Sequence, residues 1–310
     1  KELVHVVLSS IYKTYTTEGN LNNHIGIPLT ILKIKNDAAI AVIEMGANHQ
    51  KEIAGYCDYT QPTHGIITNC GKAHLEGFGG IEGVRKGKGE LYEYLRTHNG
   101  AAFVMWDYDY LKEMSKGIPN IIRYGTTAAD IEGVALDSEP FLEVNITKGS
   151  LAGCIKTRLV GDYNLPNVLL AVTIGKYFNV PDNKIKEAIE NYTPSNSRSQ
   201  LIETGSNKII LDAYNANPSS MKLAIENFAK LHAGSKVLIL GAMAELGEES
   251  LDEHKALVEE INHHHWKQVV LVGGDFLKFK HPFLTFENSV QATEWYKQQK
   301  YTDSHILIKG

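Results

Sequence analysis

Cysteine is scarce in this sequence. Cys57, Cys70 and Cys154 are the only three in 310 residues, widely spaced and without a CxxC pair. Three thiols cannot all pair with one another, which speaks against a disulfide-stapled secreted fold and for a reducing, cytoplasmic compartment. Long apolar runs are missing too: the most apolar window, "AAIAVIEMGA", has about half the length needed to span a bilayer and carries Glu44. Neither a signal peptide nor a transmembrane segment is visible. An excess of positive charge is absent as well, the formal net charge being −5. That excludes nucleic acid or an anionic membrane as the main partner, because phosphate backbones need clustered Lys and Arg. Any phosphate bound here must be held locally. Internal repeats and low-complexity tracts are also lacking.

At 43% hydrophobic and 22% charged, the chain has the composition of an ordinary globular protein of about two domains. It opens on "KELVHVVLSSIYKTY", where Leu3, Val6, Val7, Ser10, Ile11 and Tyr15 share one helical face. No capping residue precedes them, so the sequence reads as opening inside a helix. Up to about residue 115, helical stretches alternate with short apolar runs. "AAIAVIEMG" (38–46) and "HGIITNCG" (64–71) read as fully buried parallel strands, and "QKEIAGYCDYT" and "GGIEGVRKGKGELYEYLRTH" as helices. Residues 120–160 switch to period-two stretches, which predict a small antiparallel sheet. Two helices follow, "NLPNVLLAVTIGKYF" and "PDNKIKEAIENY". The polar "TPSNSRSQ" (193–200) reads as a linker. Beyond it the βα alternation resumes in a Rossmann-like manner through "KIILDAY", "KVLILGAM", "KQVVLVGG" and "SHILIKG".

Ligands of doubly wound sheets sit at the carboxyl ends of strands. Glu44 ends the first apolar run and His74 follows the second, a carboxylate and an imidazole able to hold a divalent metal. Gly87 and Gly89 flank Lys88, which predicts close backbone approach or a helix start at Gly89. Asp212 ends a later strand, suited to a ribose hydroxyl, and Asn217 before Pro218 reads as a helix N-cap next to an anion site. Asn164 and Asn167 lie three apart on one helical face, able to present amides to a base edge. Arg198 stands in the linker, within reach of phosphates or a base. The three histidines of "INHHHWK" point apart on a helix and predict no metal cluster.

Taken together, "TEGNLNNHIGIPLTIL", "AVIEMGANHQKEIAGYCDYTQPTHGIITNCGKAHLEGFGG", "KGKGELY", "GDYNLPNVLLAV", "LDAYNANPSSM" and "LGAMAELGEES" resemble the Mur ligase family over practically the whole chain. The forms "EMGA" and "YNANP" look like the members that add D-alanyl-D-alanine to UDP-N-acetylmuramoyl-tripeptide. The resemblance implies an α/β fold with a P-loop-type central ATPase domain over residues 1–194 and a Rossmann-like C-terminal domain over residues 195–310, both partial. In the family a P-loop lies just before a helix like "KELVHVV", so the chain is expected to begin after it, and these 310 residues alone are expected to hydrolyse ATP negligibly. ATP and Mg²⁺ are the implied cofactors. By resemblance Glu44, His74 and Lys88 are the catalytic and metal-ligating set, Lys88 as a carbamate. Asn164 and Asn167 would contact adenine, Asp212 the ribose and Arg198 the nucleotide. Asn22, Asn23, Tyr214, Asn215 and Asn217 would contact the peptide substrate or complete the site between the domains. Tyr163, Ser197 and Ala242 depart from the usual His, Gly and Asp. A sibling ligase, such as a folylpolyglutamate synthase, and a non-catalytic nucleotide-binding module are the alternatives.

Overall fold

The structure, a computed structural model, describes residues 1–195 and 197–310. Asn196, within the expected linker, lies outside the described residues.

The opening helix α1 (Glu2–Ser9) buries Leu3, Val4, Val7 and Leu8. It ends earlier than its apolar spacing predicts. Thr14–Thr16 form strand β1, paired in parallel with β2 (Ile40–Val42). The β-branched Thr14 and Thr16 fit a pleated ladder better than a helix, and Tyr12 anchors the bend between them by donating from its hydroxyl to Phe178 O at 2.6 Å. Helix α2 (Gly26–Lys33) separates β1 from β2, and α3 (Glu52–Thr60) leads to β3 (His64–Ile66).

After β3 come the single turn α4 (Leu75–Phe78), the long helix α5 (Ile81–Thr97), β4 (Ala101–Met105) and α6 (Asp109–Ser115). Strands β5 (Asn120–Gly125), β6 (Ile131–Leu136), β7 (Phe141–Lys148) and β8 (Cys154–Val160) complete a six-stranded sheet ordered β3-β4-β5-β6-β7-β8. The small antiparallel sheet expected at 120–160 is thus the far half of this one. β5 continues the parallel ladder beside β4, and only β6-β7-β8 run antiparallel. Every residue of β4 is buried, as a central parallel strand covered on both faces must be. Helix α7 (Leu165–Tyr177), apolar on nearly all sides, packs across β4, β5 and β6 and against α1 and α8 (Asp182–Asn191). β2 is not the fully buried strand its composition predicts: it pairs with β1 alone and β3 with β4 alone, and both border an open cleft.

The second sheet holds β9 (Gln200–Thr204), β10 (Asn207–Asp212), β11 (Lys236–Gly241), β12 (Gln268–Val272), β13 (Leu284–Phe286) and β14 (His305–Lys309), in the order β13-β12-β11-β14-β10-β9. All are parallel except the edge strand β9. Helices α9 (Pro218–Lys230), α10 (Ser250–Asn262) and α11 (Ser289–Lys297) make the crossovers. β14, last in the chain, inserts between β10 and β11, so that Lys309 pairs in register with Asp212. One hydrophobic cluster runs through both sheets, and a smaller one lies under α3 around Ile27, Ile53, Tyr56 and Cys57. The three cysteines are free thiols, and burial pushes Cys57 up to about 12. Among the described residues no helix is long and apolar enough to cross a membrane.

Candidate active site

A cavity of about 1220 Å³ opens between β2 and β3 in the first unit and reaches the start of the second, and Glu44, Lys88, Asn164, Asn167, Arg198 and Tyr214 all line it. Six of the expected residues therefore meet in one place, although up to 170 positions separate them in the chain (214 − 44).

Glu44 follows β2 and is held from the segment after β1. Its backbone N–H donates to Thr17 Oγ1 at 2.9 Å, and Asn22 Nδ2 donates to its Oε1 at 3.1 Å. Lys1 Nζ stands 3.5 Å from its other oxygen. Asn22 is therefore a support for Glu44, and Asn22 O also accepts from Gly46 N–H at 2.7 Å. Asn23 is engaged otherwise: its Oδ1 accepts from Ile25 N–H and Gly26 N–H at 3.1 and 2.9 Å and caps the start of α2.

Lys88 lies inside α5, which is unbroken, so the helix does not start at Gly89. Close approach is the correct reading at Gly87, where a Cβ would stand 2.3 Å from the Phe78 ring. Glycine is needed there despite its cost of about 1 kcal/mol in a helix. The Lys88 ammonium donates to Asn69 O at 2.7 Å, and desolvation pulls its pKa below the ordinary lysine range. As an ammonium it has three donors and no lone pair, so the lysine as it stands is not a metal ligand. The desolvation penalty is full below its folded-state pKa and fades as pH rises from there toward the unfolded value. Lys88→Met is accordingly expected to raise the melting temperature at neutral pH by roughly 2–4 °C, about 1 kcal/mol, with the gain shrinking in alkali. A calorimetric scan at two pH values checks it.

His74 caps α4 with a left-handed backbone (φ 57°), and its Nδ1 bonds the carboxylate of Glu245, which follows β11. It does not line the cavity with Glu44. Among the described residues no group of three or more His, Cys, Asp or Glu side chains is arranged to hold a metal. Glu44 and His74 carry donor types that suit Mg²⁺, an ion that keeps several waters and takes phosphate oxygens, but the structure does not bring the two into one cavity. The His263 to His265 run forms no such group either.

Asn164 is buried. Its amide donates to Val160 O at 3.0 Å and stands 3.4 Å from Ser199 Oγ, while its Oδ1 accepts from Asn167 Nδ2 at 3.1 Å. Asn164 thus orients Asn167, which faces the cavity. Tyr163 reaches Ser199 Oγ at 2.9 Å, and burial beside the Asp212 charge pushes its phenol upward. Ser199 N–H donates to Asp212 Oδ1 at 3.0 Å, and Lys309 Nζ stands 2.6 Å from Asp212 Oδ2. The expected ribose acid is therefore already engaged at both oxygens. Arg198 lays its guanidinium over the Tyr214 ring at 3.7 Å from the centroid, a stacked cation.

Ser197 and Ser199 flank Arg198 with φ values of 51° and 50°, which explains why glycine suits the place before the arginine. Ser197→Gly is expected to stabilise by up to about 1 kcal/mol, read as a higher denaturant midpoint. Asn217 caps α9 as expected, accepting from Ser220 N–H at 3.0 Å. Asn215 contributes its carbonyl, 3.4 Å from Lys309 Nζ. Ser199, Glu245 and Lys309 are site residues that the sequence reading did not single out. Only a strand-register argument could have found Lys309.

A cavity lined by an acid, a half-buried lysine, paired amides and a stacked arginine, held mainly by the first unit and reached by the second, marks an α/β protein with a candidate ligand cleft. The Mur ligase middle domain matches residues 1–175, and the domain described as Mur ligase, glutamate ligase domain matches residues 197–309. The chain belongs to the Mur ligase family. It is similar to the UDP-N-acetylmuramoyl-tripeptide–D-alanyl-D-alanine ligase of Escherichia coli, 35% identical over 81% of this chain and 56% of that protein. The crystal structure of MurF from Acinetobacter baumannii superposes with a TM-score of 0.88 at 27% identity, covering 100% of this chain and 70% of that one. MurF from Thermotoga maritima in complex with ADP shares the fold, with a TM-score of 0.87 at 23% identity over 100% of this chain and 73% of that one. The chain spans a little over half of the length of the first curated relatives it matches.

Proposed function

We propose that the cleft is the nucleotide end of an ATP-dependent peptide ligase that joins D-alanyl-D-alanine to UDP-N-acetylmuramoyl-tripeptide in cytoplasmic peptidoglycan precursor synthesis, and that the unit boundary falls at residues 194/195. The observation that carries this reading is the meeting of Glu44, Lys88, Asn164, Asn167, Arg198 and Tyr214 in one cavity, in a chain similar to a ligase named for those substrates. Asn167, fixed by Asn164, suits a base edge. Arg198 suits phosphate oxygens or the base face.

A carboxylate is a poor electrophile, so the tripeptide carboxylate attacks the γ-phosphate of ATP and forms an acyl phosphate with release of ADP. The dipeptide amine then adds to the acyl carbon and phosphate leaves. Mg²⁺, held by Glu44 and His74, would offset the repulsion between carboxylate and triphosphate. This chain's residues supply position: Asn22 and Thr17 fix Glu44, and closure of the two units would exclude water from the acyl phosphate. Desolvation lowers the Lys88 pKa from the ordinary lysine value, a shift in the direction of the neutral amine, the form that adds to CO₂ and becomes a carbamate. Incubating the complete gene product with ATP, the UDP-tripeptide and the dipeptide should yield a product whose mass is the sum of the two substrates less one water. ATP consumption with no such product would refute the reading.

A further inference from the structure

The segment Gly71–Glu76 belongs to the first sheet's unit, yet side chains of the second unit grip it along its length. Ser219 Oγ, in α9, accepts from Lys72 N–H at 3.1 Å. Lys72 Nζ pairs with Glu253 on α10. Glu245 acts twice, its carbonyl accepting from Glu76 N–H at 3.2 Å and its carboxylate meeting His74 Nδ1. Glu245 itself has φ 61°, a backbone that a non-glycine residue adopts only at a cost. The surrounding contacts hold it there.

We propose that Glu245 is a positioning residue for His74, acting across the inter-unit boundary. A carboxylate only accepts hydrogen bonds, so the contact places the ring proton on Nδ1 and leaves the Nε2 lone pair as the acceptor. A carboxylate behind a ligating imidazole fixes its tautomer and raises its basicity. His74 is then set to take a cation through Nε2 while the two units are apposed, and binds it more weakly once Glu245 is withdrawn. Its use by a nucleotide-bound cation rests on the ligase reading above; the tautomer does not.

Long-range proton–nitrogen NMR of the 310-residue chain, above the ordinary imidazole range, reads the tautomer directly, with the His74 signals identified by their loss in His74→Gln. The native chain is expected to show His74 protonated at Nδ1. Glu245→Ala is expected to move at least half of the population to the Nε2–H form, and Glu245→Gln, which keeps an accepting carbonyl, to restore the native form. With Mn²⁺ alone as probe, Glu245→Ala should need at least tenfold more metal to broaden the His74 signals, while the other histidine signals report an intact fold. An Nε2–H tautomer in the native chain overturns the proposal without any variant. So does a Glu245→Ala protein whose tautomer or Mn²⁺ response is unchanged. Failure of the ligase reading would instead show as absent amide product with the tautomer effect intact.

Discussion

Lys309→Met is expected to destabilise the second unit by about 3–5 kcal/mol. Lys309 is 3% exposed, its ammonium stands 2.6 Å from Asp212 Oδ2, and the pairing is fixed by the β10–β14 register. Removing the cation leaves a nearly buried carboxylate with only the Ser199 N–H and no counter-charge. Isolated buried charge is costly, and the pair's own attraction mainly repays desolvation. The double variant Lys309→Met with Asp212→Asn should therefore recover most of the loss, because the amide oxygen still accepts from Ser199. Thermal unfolding measures it: a fall of about 10 °C for the single variant, largely reversed in the double. A single variant as stable as the native chain would show that the pair is solvated.

Glu44→Gln in the complete gene product is expected to lower the rate of amide formation by about 10²–10³-fold, the scale of losing one preorganised electrostatic group. Its melting temperature should stay within about 2 °C, since the carboxylate borders the cavity and the amide can still accept from Asn22. Asn22→Ala should cost a smaller factor, about 10–100-fold, by letting Glu44 swing from its position. Steady-state rates at saturating ATP check both. A Glu44→Gln enzyme within threefold of native would remove Glu44 from the chemistry.

Much of the fold was legible because the chain alternates short β-branched runs with amphipathic helices, and the later strands KIILD, KVLILG and QVVLV lie where those runs stand. Pairing was not legible. Nothing local in residues 120–160 tells that β5 joins β4 in parallel, since a parallel ladder is chosen by an edge far away in sequence. The opening helix was overextended for a related reason, the β1–β2 ladder claiming Thr14–Thr16 against the helical spacing. Strand-end logic found Glu44 and Asp212, and cap logic found Asn217. The partners that orient these groups, Asn22 on Glu44, Ser199 and Lys309 on Asp212 and Glu245 on His74, come from other elements and carry no periodic signal. Asn23, by contrast, shows how a polar residue beside a site can have its side-chain oxygen taken up by the entry to a helix.

The most direct test of the proposed chemistry follows one oxygen atom. The tripeptide carboxylate is labelled with heavy oxygen, and the inorganic phosphate released by the complete gene product with ATP and D-alanyl-D-alanine is weighed by mass spectrometry. If the carboxylate attacks the γ-phosphate and the amine then expels phosphate, each phosphate carries one labelled oxygen, and release depends on the dipeptide. Unlabelled phosphate would mean that water attacks ATP and would contradict the acyl-phosphate ligase.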